Sequence, residues 1–147
     1  NADVFVMGFD FSLGRDRAVT YATYLGDGDT DVPFGFSLLA DGRLAISGYT
    51  ASNRFPTTVG ALQRTRGGTT GNASIDGFVA ILNPAGGLEY STYLGGGAVD
   101  VATGVAVDGT NGIVVSGYTN SADFPREQGV EGVTPVQNTP FLLRIAR

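Results

Sequence analysis

Short runs of apolar and β-branched residues, separated by polar turns, divide the chain into nine predicted strands. No segment repeats its apolar residues at the i, i+3, i+4, i+7 spacing of an amphipathic helix. The pattern therefore predicts an all-β, antiparallel protein with at most a turn or two of helix. The predicted strands are residues 3–11, 18–25, 34–39, 43–50, 77–82, 88–94, 103–107, 113–119 and 141–146.

Glycine and proline mark where these strands end. Asp41 and Gly42 stand between two apolar runs, which is a strong hairpin signal. Phe55 is followed by Pro56, which cannot donate to a central ladder. The polar connector 57–75 is longer than an ordinary loop, so we expect it to be functional or to hold a short element of its own.

A block of the chain is duplicated without a gap: residues 23–56 recur as residues 92–125, and 15 of the 34 aligned positions are identical. Spacing is constant inside the block, where a one-residue slip would turn every core side chain outward. The length differences fall in the polar connectors, as expected for a structural repeat. The repeated structural positions include Asp31 and Asp100, Gly35 and Gly104, Tyr49 and Tyr118, and Phe55 and Phe124.

Length and charge limit the number of domains and the kinds of partner that this protein can have. A chain of 147 residues corresponds to one domain, 1–147. We divide it into repeat units at about 3–56 and 76–125 and a final strand at 140–147. The net charge of −5 disfavours nonspecific nucleic-acid binding, because the chain has no basic surface to release phosphate counterions. No apolar run reaches the roughly 20 residues that membrane insertion needs.

Two further absences concern chemistry and export. Without cysteine, the chain has neither disulfides nor a thiolate metal site. Residues 1–3 lack the basic start of a signal peptide, which fits a mature or excised fragment as well as a cytosolic protein.

One loop has the composition of a weak calcium site. Asp27, Asp29 and Asp31 carry carboxylates at alternate positions, as calcium-binding loops do. However, Val32 and Leu38 replace the glycine and glutamate of the full pattern. The alternative, which we favour, is an exposed turn in which Asp31, like Asp100 in the second copy, accepts backbone N–H bonds. No other cofactor is expected.

The chain offers little for catalysis, because it has no histidine, cysteine or lysine. A carboxylate pair such as Asp31 with Asp100 could serve glycoside hydrolysis only at a suitable separation. We therefore expect no enzyme activity.

Aromatic residues recur at matched positions of the two copies: Tyr24, Tyr49, Tyr93 and Tyr118, and likewise Phe55 and Phe124. Aromatic side chains can stack on sugars, but their recurrence favours packing in the core and between repeats.

The order of motifs resembles the bacterial seven-bladed β-propeller repeat family (SBBP-type repeat). Residues 78–125 carry FVAILNPAG, YSTYLGG, DVATGVAVD and SGYTNSADFP in that order, and residues 21–56 carry a looser copy. The resemblance implies four-stranded antiparallel blades arranged around a channel. One blade would span residues 34–94, preceded by the outer half of a blade and followed by most of another. The family implies an exported or surface-attached bacterial protein.

About two blades plus an extra strand make an incomplete ring, since closed rings have four to eight blades. Three solutions remain open: a piece of a larger propeller, an assembly of several copies, or a sandwich-like stack. The final strand is a candidate for pairing with another chain. We expect a structural or interaction module of an extracellular or cell-surface protein, whose partners are other chains or copies of itself. The alternative is a carbohydrate- or ligand-binding module with its site in connectors 57–75 and 120–139 or between blades.

Overall fold

The computed structural model describes residues 2–14, 16, 18–68, 74–108, 112–125 and 137–145. Within them the regular structure is β-strand, apart from a 3₁₀ turn at Phe11–Leu13 and 3₁₀ conformation at Asp16. The nine predicted strands are present. Their bounds are β1 Val4–Phe9, β2 Val19–Leu25, β3 Asp31–Leu38, β4 Leu44–Thr50, β5 Asp76–Leu82, β6 Leu88–Leu94, β7 Asp100–Val107, β8 Ile113–Thr119 and β9 Thr139–Ile145.

Two strands, β3 and β7, start three residues earlier than predicted. Asp31 and Asp100, predicted to lie in the turn before the strand, are the first residues of β3 and β7 and pair with Thr50 and Thr119. Aspartate is depleted in strands, so the pattern delays the predicted start. One oxygen of each carboxylate, Oδ2, accepts hydrogen bonds from N–H and hydroxyl groups of the adjacent loops.

The strands form three antiparallel sheets, which we call sheet 1 (β1–β2), sheet 2 (β3–β4–β5–β6) and sheet 3 (β7–β8–β9). Strands that are neighbours in a sheet are also consecutive in sequence. The predicted arrangement of half a blade, one full blade and most of another is confirmed. The three sheets do not close into a ring.

Both copies of the block have the same irregularity in their first hairpin. The register shifts between Pro33 and Gly35 in β3, and between Ala102 and Gly104 in β7. A bulge of this kind bends the strand locally and raises its twist. It also explains the proline in β3, which is tolerated in an edge strand or at a bulge.

A glycine in each second strand makes room for an aromatic ring. A Cβ on Gly48 would lie 2.8 Å from the ring of Phe78, and one on Gly117 would lie 2.6 Å from the ring of Phe141. These glycines face the phenylalanines directly across the ladder. The conserved spacing of the Ser-Gly-Tyr-Thr segment therefore follows from the packing of the third strand on the second.

Sheet 2 has a neighbouring sheet on each face, although Phe34 and Phe36 of its first strand are exposed. One core cluster joins Val4, Val6 and Leu25 of sheet 1 to one side of sheet 2, and a second joins its other side to sheet 3. Every residue of β5 is buried as a result. Sheet 2 is thus the example of a sheet that has another sheet packed on each face. We compare the burial of matched residues in sheets 1 and 3 with it.

The connector after β4 runs along the outer edge of β6. Thr58 N–H donates to the Ser91 carbonyl (3.1 Å), Ser91 N–H donates to Thr58 Oγ1 (3.0 Å), and Tyr93 N–H donates to the Gln63 carbonyl (3.1 Å). Of the two alternatives for this connector, a short regular element is absent from residues 57–68; residues 69–73 lie outside the described chain. These bonds satisfy an edge that would otherwise be open to pairing. In the described residues no helix meets the length and hydropathy of a membrane span.

Candidate functional site: the open ends of the sheet stack

A buried aromatic group shows how a complete sheet is closed. In sheet 2 the ring of Phe55 lies 4.6 Å from that of Phe78 and 5.9 Å from that of Tyr93, between centroids. The Tyr93 hydroxyl accepts from Phe55 N–H and donates to the Ser52 carbonyl, both at 2.8 Å. Burial raises the pKa of Tyr93 to about 12, so the hydroxyl stays protonated and can donate. We call these four residues the aromatic lock.

Sheet 1 carries half of the same group, but exposes it. Phe5 and Tyr24 occupy the positions that Phe78 and Tyr93 hold in sheet 2, and their rings are 5.1 Å apart. Phe5 is 50% exposed and Tyr24 73%, whereas Phe78 and Tyr93 are fully buried. The packing role predicted for the repeated tyrosines is therefore met by Tyr93 but not by Tyr24 within one chain.

An apolar groove of about 320 Å³ lies between sheets 1 and 2. Val4 and Val6 line it from β1, Phe34 and Phe36 from β3, and Ile46 from β4. Phe34 is 54% and Phe36 79% exposed. Phe34 also lies 5.8 Å from the ring of Tyr49.

The matched position between sheets 2 and 3 is filled. There β7 lies so close to β3 that a Cβ on Gly35 would be 2.9 Å from the Cα of Gly104. The two predicted repeat glycines therefore meet at one backbone contact. By this match, the groove beside β1 lies where an inner hairpin of the preceding sheet would pack.

Sheet 3 has the complementary deficiency. Phe124 and Phe141 stack at 4.5 Å, as Phe55 and Phe78 do, but the described chain provides no fourth strand and hence no counterpart of Tyr93. Phe124 N–H donates instead to the Ser121 carbonyl at 3.2 Å. Tyr118, the match of Tyr49, is half-buried.

The repeated aspartates make the turn bonds that the sequence predicts. Asp31 Oδ2 accepts from Asp27 N–H and from Ser52 Oγ, both at 3.0 Å. Asp100 Oδ2 accepts from Gly96 N–H at 2.7 Å and from Ser121 Oγ at 2.6 Å. Both carboxylates are buried. Each one thus ties the loop before its strand to the loop after the second strand.

Asp31 and Asp100 each have a second carboxylate as neighbour, and the sequence analysis missed both. A Cβ on Gly26 would lie 2.5 Å from Asp31 Oδ2 and 2.6 Å from Asp3 Oδ1. The same point on Gly95 lies 2.8 Å from oxygens of both Asp76 and Asp100. The sequence did contain a signal for these neighbours, because Asp3 and Asp76 stand at the same spacing before the Phe-Val pair of β1 and β5.

Burial dominates the electrostatics of these pairs. Loss of solvent raises the pKa of Asp76 to about 7, and the charge of Asp100 adds to this, although Gly67 N–H donates to Asp76 Oδ2 at 2.7 Å. Burial also raises the pKa of Asp31, with a smaller contribution from the charge of Asp3. Asp31, Asp76 and Asp100 each accept a hydrogen bond from a backbone N–H group. Asp31 lies beside Asp3, and Asp100 lies beside Asp76. The pair considered for hydrolysis was instead Asp31 with Asp100.

The three carboxylates of the candidate calcium loop have separate partners. Asp27 Oδ2 accepts from Arg54 Nε at 3.2 Å, Asp31 is turned inward, and Asp29 is exposed. Within the described ranges, no group of three or more acidic or histidine side chains is arranged to hold a metal ion.

The comparison with known families agrees with this geometry. Residues 89–125, which run from β6 through β8, match the family model of a beta-propeller repeat, SBBP. This stretch is similar to a beta-propeller repeat. The resemblance noted in the sequence is thereby confirmed, and the sheets can be described as propeller blades. No curated protein matched the chain.

Proposed function

We propose that this β-propeller module is a non-enzymatic structural or interaction module that assembles through its exposed blade faces and edge strands. The observation that carries the proposal is the contrast between matched residues: Phe5 and Tyr24 are exposed at the positions where Phe78 and Tyr93 are fully buried. Burial of each such side chain is worth on the order of 2 kcal/mol. A surface built to the pattern of an interior is best used by covering it.

The family resemblance supports an extracellular or cell-surface location in a bacterium, and partners that are other chains or further copies of this one. The missing catalytic side chains support a role without chemistry, since the sequence holds no histidine, cysteine or lysine. The net charge of −5 speaks against nucleic acid as a partner.

Sedimentation velocity over a hundredfold range of protein concentration tests assembly directly. We expect a mass that rises above the 15.2 kDa of one chain as the concentration increases, without added ligand. A mass of 15.2 kDa at every concentration would refute the assembly function.

A ligand-binding, lectin-like module is the second candidate. The groove between sheets 1 and 2 favours it, because half-exposed aromatic rings such as Phe34 line a concave surface. Much of connector 57–75 is used to cover β6, and residues 126–136 of the other candidate connector lie outside the described chain. A glycan array tests this candidate: binding of a glycan class supports it, and an array without binding removes it.

A further inference from the structure

We propose that β1 and β2 of one copy complete sheet 3 of a second copy, where they replace β9 beside β8. The inference rests on the proposed assembly function and names the surfaces and the partner, a second copy of this chain. It is a strand exchange in which each copy gives its first hairpin to the next.

Sheet 2 provides the template for the exchanged sheet. There β5 pairs with β4 and β6 pairs with β5. β1 matches β5, β2 matches β6, and β8 matches β4. Adding β1 and β2 to β7 and β8 therefore reproduces the order of sheet 2, and places Phe5 opposite Gly117 as Phe78 lies opposite Gly48. Sheet 3 gains the fourth strand that it lacks among the described residues.

The hydroxyl of Tyr24 finds its two partners in this arrangement. In sheet 2 the hydroxyl of Tyr93 joins the Ser52 carbonyl and the Phe55 N–H. The matched groups in sheet 3 are the Ser121 carbonyl and the Phe124 N–H, which bond to each other at 3.2 Å within one chain. Tyr24 of the second copy would insert between them and complete a second aromatic lock.

β9 is the strand that leaves, because its apolar side chains pack against the core of sheets 2 and 3 only in part. None of its residues is buried, and Pro140 has no N–H to donate to a ladder. Val4 and Val6 of β1 are buried against sheet 2, and stay so when β1 is also paired with β8. The exchange replaces the β8–β9 ladder with a β8–β1 ladder and buries β2 in addition.

The same contact fills the groove beside β1. The β7–β8 hairpin would lie against β3 of the second copy as the β3–β4 hairpin lies against β7. Gly104 would then meet Gly35 of the partner, and Ser116, now exposed, would become buried like Ser47. The groove and the open sheet are thus two sides of one interface.

The contact is head-to-tail, so it must close into a ring or grow as a filament. Each copy contributes two complete four-stranded blades, because one blade is its own and one is shared. Closed rings have about four to eight blades. A closed assembly therefore has two, three or four times the mass of 15.2 kDa.

Replacing Tyr24 tests the lock without disturbing the core of one chain. We expect Tyr24→Phe to raise the dissociation constant of the assembly roughly 10-fold, because the two hydrogen bonds of the hydroxyl across the interface are lost, while Ser121 and Phe124 return to their bond with each other. Tyr21→Phe, on the same strand but facing sheet 2, is the matched control and should assemble like the wild type. Wild-type affinity in Tyr24→Phe would overturn the inference.

A disulfide that holds β9 in place tests the exchange itself. Ser116 and Leu142 are exposed partners on β8 and β9, and the chain has no cysteine of its own. Antiparallel partners have Cα atoms about 4.5 to 5.5 Å apart, within the range for a disulfide. We expect oxidised Ser116→Cys/Leu142→Cys to stay at the mass of one chain, and the reduced form to assemble.

The outcomes separate the inference from the function on which it rests. If the oxidised double variant assembles as well as the reduced one, strand exchange is wrong while assembly stands. If the wild type remains a single chain of 15.2 kDa at all concentrations, the assembly function and the exchange both fall.

Discussion

Removing the Tyr93 hydroxyl measures how much its two hydrogen bonds in the aromatic lock contribute to the free energy of unfolding. In Tyr93→Phe the ring of residue 93 can remain beside Phe55, while the hydroxyl that joins Phe55 N–H to the Ser52 carbonyl is lost. Tyr93 is fully buried, so water cannot easily replace it. Each buried group left without a partner costs about 1 to 3 kcal/mol.

Two such groups give an expected loss of about 2 to 6 kcal/mol in the free energy of unfolding, against a total of about 5 to 15 kcal/mol for an ordinary domain. The melting temperature should fall by roughly 10 °C. Urea unfolding followed by far-ultraviolet circular dichroism measures the change, and the slope of the transition should stay the same because the exposed area does not change.

The internal repeat provides a matched control for this measurement. Tyr24→Phe removes the same atom from the same position of the first copy, where the side chain is 73% exposed. At a protein concentration low enough to keep the chain monomeric, it should change the free energy of unfolding by less than about 0.5 kcal/mol. A loss below 0.5 kcal/mol in Tyr93→Phe, or equal losses in the two variants, would refute the lock.

Two further predictions concern the buried carboxylates. The pKa of Asp76 is raised from 3.8 to about 7, so between about pH 4 and 7 the folded chain keeps a proton that the unfolded chain has lost. The free energy of unfolding should therefore fall as the pH rises through this range. This group contributes about 1 kcal/mol per pH unit to the fall. Urea titrations at several pH values should show that Asp76→Asn flattens this slope, while the exposed control Asp29→Asn leaves it in place; an unchanged slope in Asp76→Asn would contradict the assignment. Gly95→Ala puts a methyl group 2.5 Å from Asp76 Cγ and should cost about 1 to 3 kcal/mol, whereas Gly28→Ala, with no atom within 4 Å, should be close to neutral; equal thermal stability of the two variants would argue against the close approach.

Strand number, strand order and repeat were predictable because they depend on local pattern. Alternation of apolar residues and turn signals such as Asp41-Gly42 are short-range features, and the duplicated block adds the register. The part played by Asp31 and Asp100 was also predictable, since a carboxylate just ahead of a strand readily accepts N–H bonds from its own turn.

The carboxylate pairs were not predictable in the same way. Asp76 and Asp100 are far apart in sequence, and they meet because Gly95 leaves space where the end of one blade passes the start of the next. The bonds from connector 57–68 to β6 depend on the same kind of long-range placement. Such contacts follow from how sheets stack, which single-strand patterns do not contain.

Tyr24 and Tyr93 show the difference between what the sequence determines and what only the tertiary structure decides. Both stand in the same Thr-Tyr-Leu-Gly segment, and the sequence alone assigns both to the fourth strand of a blade. Only the structure distinguishes them, with one tyrosine fully buried and the other 73% exposed. Alternation determines which face of a strand a side chain occupies, but its burial depends on whether another segment covers that face. For Tyr93 the chain itself provides that segment in Ser52 and Phe55, whereas for Tyr24 no segment among the described residues does so.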